Sequence, residues 1–391
     1  MSYERAETIS NQSIVTISEG YPSEVDPNAK IQVHNLMRAF DRQGISPLVV
    51  APEKRVSLTQ NRNPFEIAPK RYEYENIDVI RPRYTPLSAK MLPLIGSTHR
   101  WTVNNFSRAV LSARPAIEFN PNLIYGHFLM PAGDSALSLA ESFESKAVVA
   151  LGEGSFDRYV SHFGFDKVQN LFTRFWKIVS VSEDIRERCI DQFGVDPDRI
   201  SVFPNAPDDT RFYPRPRMEM RRKLGLPEDK IIIGFVGFFD ENKGPHRVLK
   251  AIESRPDICA VFMGSGSIPL NGPQVLAARS IPHGEVADWL SAVDFYVQPV
   301  KTEASSNSMR EAAACGLPIV SSDIASNREF LDSSYSTLID PMDIDQLRTE
   351  IVKLADDPQL RDKMSKAALA KSQKSDITAR ASQILEWLEL T

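Results

Sequence analysis

Short runs rich in Val and Ile alternate with longer segments in which apolar residues recur at helical spacing. In the first half, residues 13–18, 47–51, 77–80, 122–125, 147–151, 178–181 and 200–203 read as strands. In the second half, 231–236, 259–263, 295–298, 318–321 and 336–339 do the same. Near-continuous apolar runs suit strands covered on both faces, as in parallel sheets with helical crossovers. The pattern therefore predicts an α/β chain. Helices are predicted near 244–253, 285–292, 307–315, 343–355, 359–373 and 377–390. A further helix is expected to start with Asp26 as N-cap and Pro27 at the first helical position. It would run through Val33, Leu36, Met37 and Phe40.

A chain of 391 residues is long enough for two cores. The proline-rich polar stretch from Pro204 to Pro216 marks the expected hinge, with domains at 1–205 and 206–375. A net charge of −5 gives no case for nucleic acid as a partner. Cys189, Cys259 and Cys315 lie far apart in apolar or helical surroundings and read as buried free thiols of a reducing compartment. The first dozen residues are polar, with Glu4, Arg5 and Glu7, so no signal peptide is expected. No run reaches membrane-spanning length. The expectation is a soluble cytoplasmic protein whose membrane contact, if any, is peripheral.

The densest chemistry lies between Glu303 and Pro318. Glu303 and Glu311 stand eight positions apart, and Ser305, Ser306, Asn307 and Ser308 crowd a helix start between them. A helix N-terminus offers free N–H groups and the positive end of its dipole, which suits an anion. Carboxylates beside that anion are suited to accept hydrogen bonds from hydroxyls. Phosphate next to hydroxyls is the chemistry of a nucleotide sugar. The local alternative is a capping box of Ser308 and Glu311, which needs no ligand. It leaves unexplained Glu303 and the position just past strand 295–298, where open α/β sheets bind ligands.

Other candidates are less specific. Strand 231–236 ends in Gly237, and a tight loop leads to Lys243 and Gly244 at the next helix start. A cation there suits a diphosphate, although a Lys-Gly pair is also common on surfaces. Glu153, between Gly152 and Gly154, reads as a carboxylate for a sugar hydroxyl or as a solvated loop residue. His127, just past strand 122–125, reads as a site residue or as a hydrogen-bonded core histidine. The stretch 81–114 holds six Lys or Arg and no Asp or Glu, with the apolar run 91–95 and Trp101. It fits an anionic leaflet or a lipid-diphosphate acceptor; the alternative is a solvated basic helix face.

Taken in order, these features resemble the retaining GT-B glycosyltransferases of family 4. They are Pro204-Asn205 with Arg211-Phe212, Gly237 with Lys243-Gly244, Gly264 with Gly266, Asp294 with Pro299, Glu303 with Glu311, and Cys315-Gly316-Leu317-Pro318. The resemblance is specific over the second half and weaker over the first. It implies two Rossmann-like domains facing a cleft, with residues 376–391 crossing back to the N-terminal domain. It implies transfer of a sugar from a UDP- or GDP-sugar to a saccharide or lipid-linked acceptor in polysaccharide or glycolipid assembly, without a metal. By analogy Glu311 would hold the ribose hydroxyls and Glu303 the donor sugar. Lys243, Gly237 and the N–H groups around Ser305, Ser306, Asn307 and Ser308 would hold the diphosphate. Lys243, Glu303, Glu153 and His127 are the catalytic candidates. The Asp343-Ile344-Asp345 cluster reads as a helix start rather than a metal site.

The chain departs from the family at three places. Phe238 stands where an arginine is usual, with Arg247 and Arg279 as the cations at hand. The first loop has one glycine, Gly20, instead of a pair. Gly152-Glu153-Gly154 occupies a turn where His-Gly is usual. An epimerase or phosphorylase on the same fold, or a non-catalytic nucleotide-sugar-binding subunit, stays open.

Overall fold

The computed structural model describes residues 12–55, 70–86, 91–92, 96–373 and 376–390. They divide into two units. One runs up to Phe203 and includes the chain from Ala381 onward; the other is Pro204–Arg380. The last helix, Ile377–Trp387, thus begins in the second unit and ends in the first. Within the first unit Trp387 packs against Phe203, with ring centroids 5.6 Å apart.

The first unit is built on eight strands: β1 Ser13–Ile17, β2 Ser46–Val50, β3 Arg71–Tyr74, β4 Ile77–Ile80, β5 Leu123–His127, β6 Lys146–Leu151, β7 Lys177–Ser180 and β8 Ile200–Val202. Their order is β8-β7-β6-β5-β1-β2-β4-β3. All neighbours are parallel except β3 and β4. Val15 lies opposite Leu48 on one side and Ile124 on the other, so strand order reverses at β1 and β5.

The helix after β1 starts later than Asp26 and Pro27 suggest. Ser23 and Asp26 close a turn on each other's backbone, both bonds 3.1 Å. Lys30 then adopts a left-handed conformation (φ 50°), which cannot lie inside a right-handed helix, so the helix spans Ile31–Arg42. The first two helical positions that proline prefers are therefore not where Pro27 sits.

The second unit has six parallel strands: β9 Ile231–Val236, β10 Ile258–Met263, β11 Val275–Arg279, β12 Phe295–Gln298, β13 Ile319–Ser322 and β14 Ser336–Ile339. Their order, β11-β10-β9-β12-β13-β14, reverses between β9 and β12. β11 is not visible in the hydrophobic pattern because its residues are only partly buried at a sheet edge. Helices His283–Ala292 and Asn307–Ala314 bury Trp289, Leu290, Met309 and Ala312 on one side. Helices Pro245–Ile252 and Ile344–Asp356 bury Val248, Ile252, Ile351 and Leu354 on the other. Asp343 caps the last of these, accepting from the Gln346 N–H at 2.9 Å, as the Asp-Ile-Asp cluster implied. All three cysteines are buried free thiols.

The β9–β12 ladder is short. It pairs Ile233 with Phe295 and Gly234 with Tyr296, and then the strands part. Side chains of β12 fill the gap. The Val236 N–H donates to the Tyr296 hydroxyl at 3.3 Å, and the Val236 carbonyl accepts from the Gln298 amide at 2.7 Å. The loops after β9 and β10 meet backbone to backbone. A Cβ on Gly264 would sit 1.9 Å from the Gly237 carbonyl oxygen, and one on Gly266 2.3 Å from that of Phe239. Replacement of Gly264 by alanine is expected to lower unfolding stability by roughly 2–3 kcal/mol. Gly284, inside helix His283–Ala292 with nothing within 4 Å of its Cβ position, is the control: its alanine variant should lose nothing and gain up to about 1 kcal/mol in the same urea titration.

Candidate functional site

The polar residues of the second unit gather where β9 and β12 part. Helix Asn307–Ala314 begins there, and its N-cap is Ser306, whose hydroxyl accepts from the Met309 N–H at 3.4 Å. This overturns the capping-box reading. The partner position of that box is Met309, not Glu311, and Ser308 instead takes a hydrogen bond from the Tyr296 hydroxyl at 2.9 Å. The first N–H groups of the helix have no intrahelical acceptor. Among the described residues the buried Ser305 hydroxyl has no hydrogen-bond partner, and the Ser305 carbonyl accepts from Asn205 at 3.2 Å. Glu311, one turn into the helix, meets His283 Nε2 at 3.2 Å. Both side chains are almost enclosed.

Lys243 is not the exposed cation that its position before a helix suggests. Its side chain is 18% exposed, and its ammonium is paired with the Glu303 carboxylate, itself 17% exposed. The other Glu303 oxygen accepts from the Ala304 N–H at 3.0 Å. The Lys243 N–H donates to Asp240 at 2.7 Å, which pins the loop. Gly237 lies beside this pair; a Cβ there would stand 3.8 Å from Lys243 Cδ and 3.0 Å from Gln298 Nε2.

Of the two arginines named as cations at hand for Phe238, Arg247 is committed to backbone carbonyls. The buried Arg247 guanidinium donates to the carbonyls of Glu241 (3.0 Å) and Pro299 (2.6 Å), clamping the loops, and burial lowers its pKa. Arg279 lies over the Trp289 ring at the end of the edge strand β11. Phe238 itself is 66% exposed on a backbone held at both neighbours, Gly237 to Met263 and Phe239 to Ser265.

In the first unit, Glu153 turns inward. Its carboxylate accepts from the N–H groups of Leu129 (2.5 Å) and Gly152 (2.8 Å). It thus organises the loop after β5, where Phe128 takes φ 73°, rather than standing open as a hydroxyl acceptor. His127, the last residue of β5, is half-buried with its ring edge-on to Phe128 at 4.7 Å. Lys30 lies over the same Phe128 ring at 4.4 Å and pairs with Glu19 at 3.6 Å.

Comparison with known proteins decides the class. The model of the "Glycosyltransferase Family 4" domain matches residues 29–211, and that of "Glycosyl transferases group 1" matches 216–371. The chain belongs to the group 1 glycosyltransferases of the GT-B fold. Among relatives of this glycosyltransferase is TuaC of Bacillus subtilis, named for teichuronic acid biosynthesis. It is 26% identical over 358 residues, spanning 87% of this chain and 88% of that protein. The D-inositol 3-phosphate glycosyltransferase of Thermomonospora curvata is 27% identical over 54% of this chain and 55% of its own length. The fold matches sucrose-phosphate synthase of Thermosynechococcus elongatus (TM-score 0.78, 19% identity, 97% and 98% of the two chains). It also matches Anabaena HepE, whose structure holds UDP and glucose (TM-score 0.70, 18% identity, 96% and 99%).

The basic stretch of the glycosyltransferase is not one surface. Arg81 is buried, donating to the Tyr21 carbonyl at 2.6 Å, with Glu53 3.5 Å away. Arg114 lies over the Phe143 ring at 3.6 Å. Lys90 and residues 93–95 lie outside the described residues. Helix His99–Ser112 keeps Trp101, Arg108 and Leu111 exposed on one face. Among the described residues no helix is long and apolar enough to cross a membrane. No group of three or more His, Cys, Asp or Glu side chains is arranged among them to hold a metal ion.

Sequence reasoning passed over His283, Tyr296 and Gln298. The last two had a signal: they are the polar alternates of an otherwise apolar strand, with Phe295 and Val297 facing the other way. Burial pushes the Glu153 carboxyl up to about 7, against the pull of the backbone N–H groups, from an ordinary value of 4.5. The folded state therefore favours the protonated form. Its stabilising contribution is full below pH 4.5 and is lost as pH rises through about 7. Between pH 5 and 8 the protein should lose up to roughly 3 kcal/mol more stability than Glu153→Gln, measured by urea unfolding at each pH.

Proposed function

We propose that this glycosyltransferase moves a sugar, with retention of configuration, from a UDP- or GDP-sugar to a hydroxyl of a saccharide or lipid-linked acceptor. One observation carries the reading: Lys243, Glu303, the open helix start at Ser306 and Glu311 converge where β9 and β12 part. Lys243 and the helix N–H groups at Asn307 and Ser308 hold the diphosphate, with the Gly237 backbone alongside and Ser305 and Ser306 shaping the approach. Glu303 holds hydroxyls of the donor sugar, and Glu311 holds those of the ribose. The acceptor binds the first unit, in which His127 stands at the end of β5 and Glu153 orders the neighbouring loop.

The reaction breaks the bond between the anomeric carbon and the diphosphate oxygen. The acceptor oxygen forms the new bond on the same face, and its proton passes to the departing phosphate. No side-chain nucleophile is needed, and no metal is assigned. Catalysis rests on stabilising the charge that develops on the diphosphate and on orientation. The name of TuaC supports a place in polysaccharide assembly, and the HepE complex supports a UDP-sugar.

The test is transfer of radiolabelled sugar from a panel of UDP- and GDP-sugars to extracted saccharide and lipid acceptors. Turnover should persist in EDTA; turnover that requires added magnesium or manganese would reject the metal-free assignment. Sugar exchange without an acceptor product, or a demand for free phosphate, would favour an epimerase or a phosphorylase. Binding without turnover would favour a non-catalytic subunit. Glu311→Gln should weaken nucleoside diphosphate binding by ~1–3 kcal/mol, about 5- to 150-fold, with an unchanged melting temperature. Calorimetric titration of UDP and GDP measures this, and equal affinities would remove Glu311 from the site.

Membrane contact through the exposed face of helix His99–Ser112 belongs to the same proposal. Trp101 and Leu111 supply apolar anchors and Arg108 a cation for anionic headgroups. The protein should sediment with phosphatidylglycerol vesicles at low salt and leave them at high salt, with Trp101→Ala weakening the association. Equal binding to neutral vesicles, or none to either, would sink this part.

A further inference from the structure

We infer that His283 is a positioning residue for Glu311, and so part of ribose recognition; this rests on the reading of Glu311 given above. A glutamate one turn into a helix has three side-chain torsions to fix before it can meet a pair of hydroxyls. Among the described residues the hydrogen bond that fixes Glu311 is the one from His283 Nε2 to Oε1, at 3.2 Å. This bond holds Oε1, and Oε2 takes no hydrogen bond among the described residues. A carboxylate oxygen also has lone-pair capacity beyond a single donor, so Oε1 can still take a second hydroxyl.

His283 is itself held. It is the first residue of helix His283–Ala292, directly after Pro282, whose φ of −55° fixes the entry of the chain. Its ring stands edge-on to Phe212, 5.3 Å between centroids, and Phe212 is buried. The helix is tied to its neighbours by Asp288, which meets Lys223 at 2.7 Å and Arg215 at 3.1 Å. Those two cations are thereby engaged, and Arg211 is engaged with Asp208 at 3.6 Å. A fixed imidazole thus presents its Nε2 to a carboxylate that would otherwise sample several rotamers. Lost preorganisation weakens binding without touching the chemical step.

Two variants separate positioning from packing. Glutamine carries an N–H near the place of Nε2, whereas the shorter asparagine does not reach it. UDP, GDP and ADP are titrated into the wild type and into His283→Gln and His283→Asn, each nucleotide also as its 2′-deoxy form. For the nucleotide that binds, the asparagine variant should lose about tenfold in affinity and the glutamine variant much less. Donor KM should rise with kcat nearly unchanged. The asparagine effect should shrink with the 2′-deoxy ligand, because one of the two hydroxyls that Glu311 would receive is gone. Equal losses with ribo and deoxy forms, or no rescue by glutamine, would overturn the role. If Glu311→Gln weakens ribonucleotide binding while His283→Asn does not, this inference alone fails. If Glu311→Gln binds as the wild type does, or no nucleotide binds at all, the reading of Glu311 fails and takes this one with it.

Discussion

The parting of β9 and β12 is the constraint on which the second unit depends. Parallel strands whose crossovers leave in opposite directions cannot both be covered at their carboxyl ends, so a crevice opens there. Opening it strips Val236 of its ladder partners, and a buried peptide group without partners is costly. Tyr296 and Gln298 remove that cost by bonding the Val236 N–H and carbonyl. Tyr296 then reaches Ser308 at the helix start. The same two residues therefore line the floor of the crevice, and Tyr296 ties that floor to the start of helix Asn307–Ala314.

The two units were unequally legible. In the second, helix starts and tight turns at strand ends demand particular residue types at fixed places, and these survive in the linear pattern. The polar run at 305–308 did mark a helix start, capped by Ser306, and Asp343 caps its own helix as the pattern implied. Gly264 and Gly266 have a local cause as well, since backbone meets backbone there. What escaped were partners set by the fold. His283 lies 28 positions from Glu311, and the pairing of Lys243 with Glu303 spans 60.

In the first unit, local signals competed with tertiary ones and lost. Asp26 and Pro27 form a sound helix start by sequence, but the turn closed by Ser23 and the left-handed Lys30 delay the helix to Ile31. Glu153 reads by sequence as a sugar-hydroxyl acceptor or a solvated loop residue, yet its carboxylate meets the backbone N–H groups of Leu129 and Gly152. Arg81 opens a basic stretch by composition and is spent inside the unit on the Tyr21 carbonyl. Charge along the chain counts ions; it does not say which of them reach water.

The pairing of Lys243 with Glu303 sets a cation and an anion of nearly equal exposure against each other. A free anion arriving there meets a lysine already satisfied and a carboxylate that repels it. A free sugar meets a glutamate already engaged by a cation. Either guest alone must break the pair and leave one buried partner uncompensated, which is costly in a partly enclosed site. A molecule carrying phosphate and hydroxyls together replaces both partners at once. On the function proposed above, the pair would act as a coincidence detector, admitting the two halves of a ligand more readily when they are covalently joined than when they are merely both present.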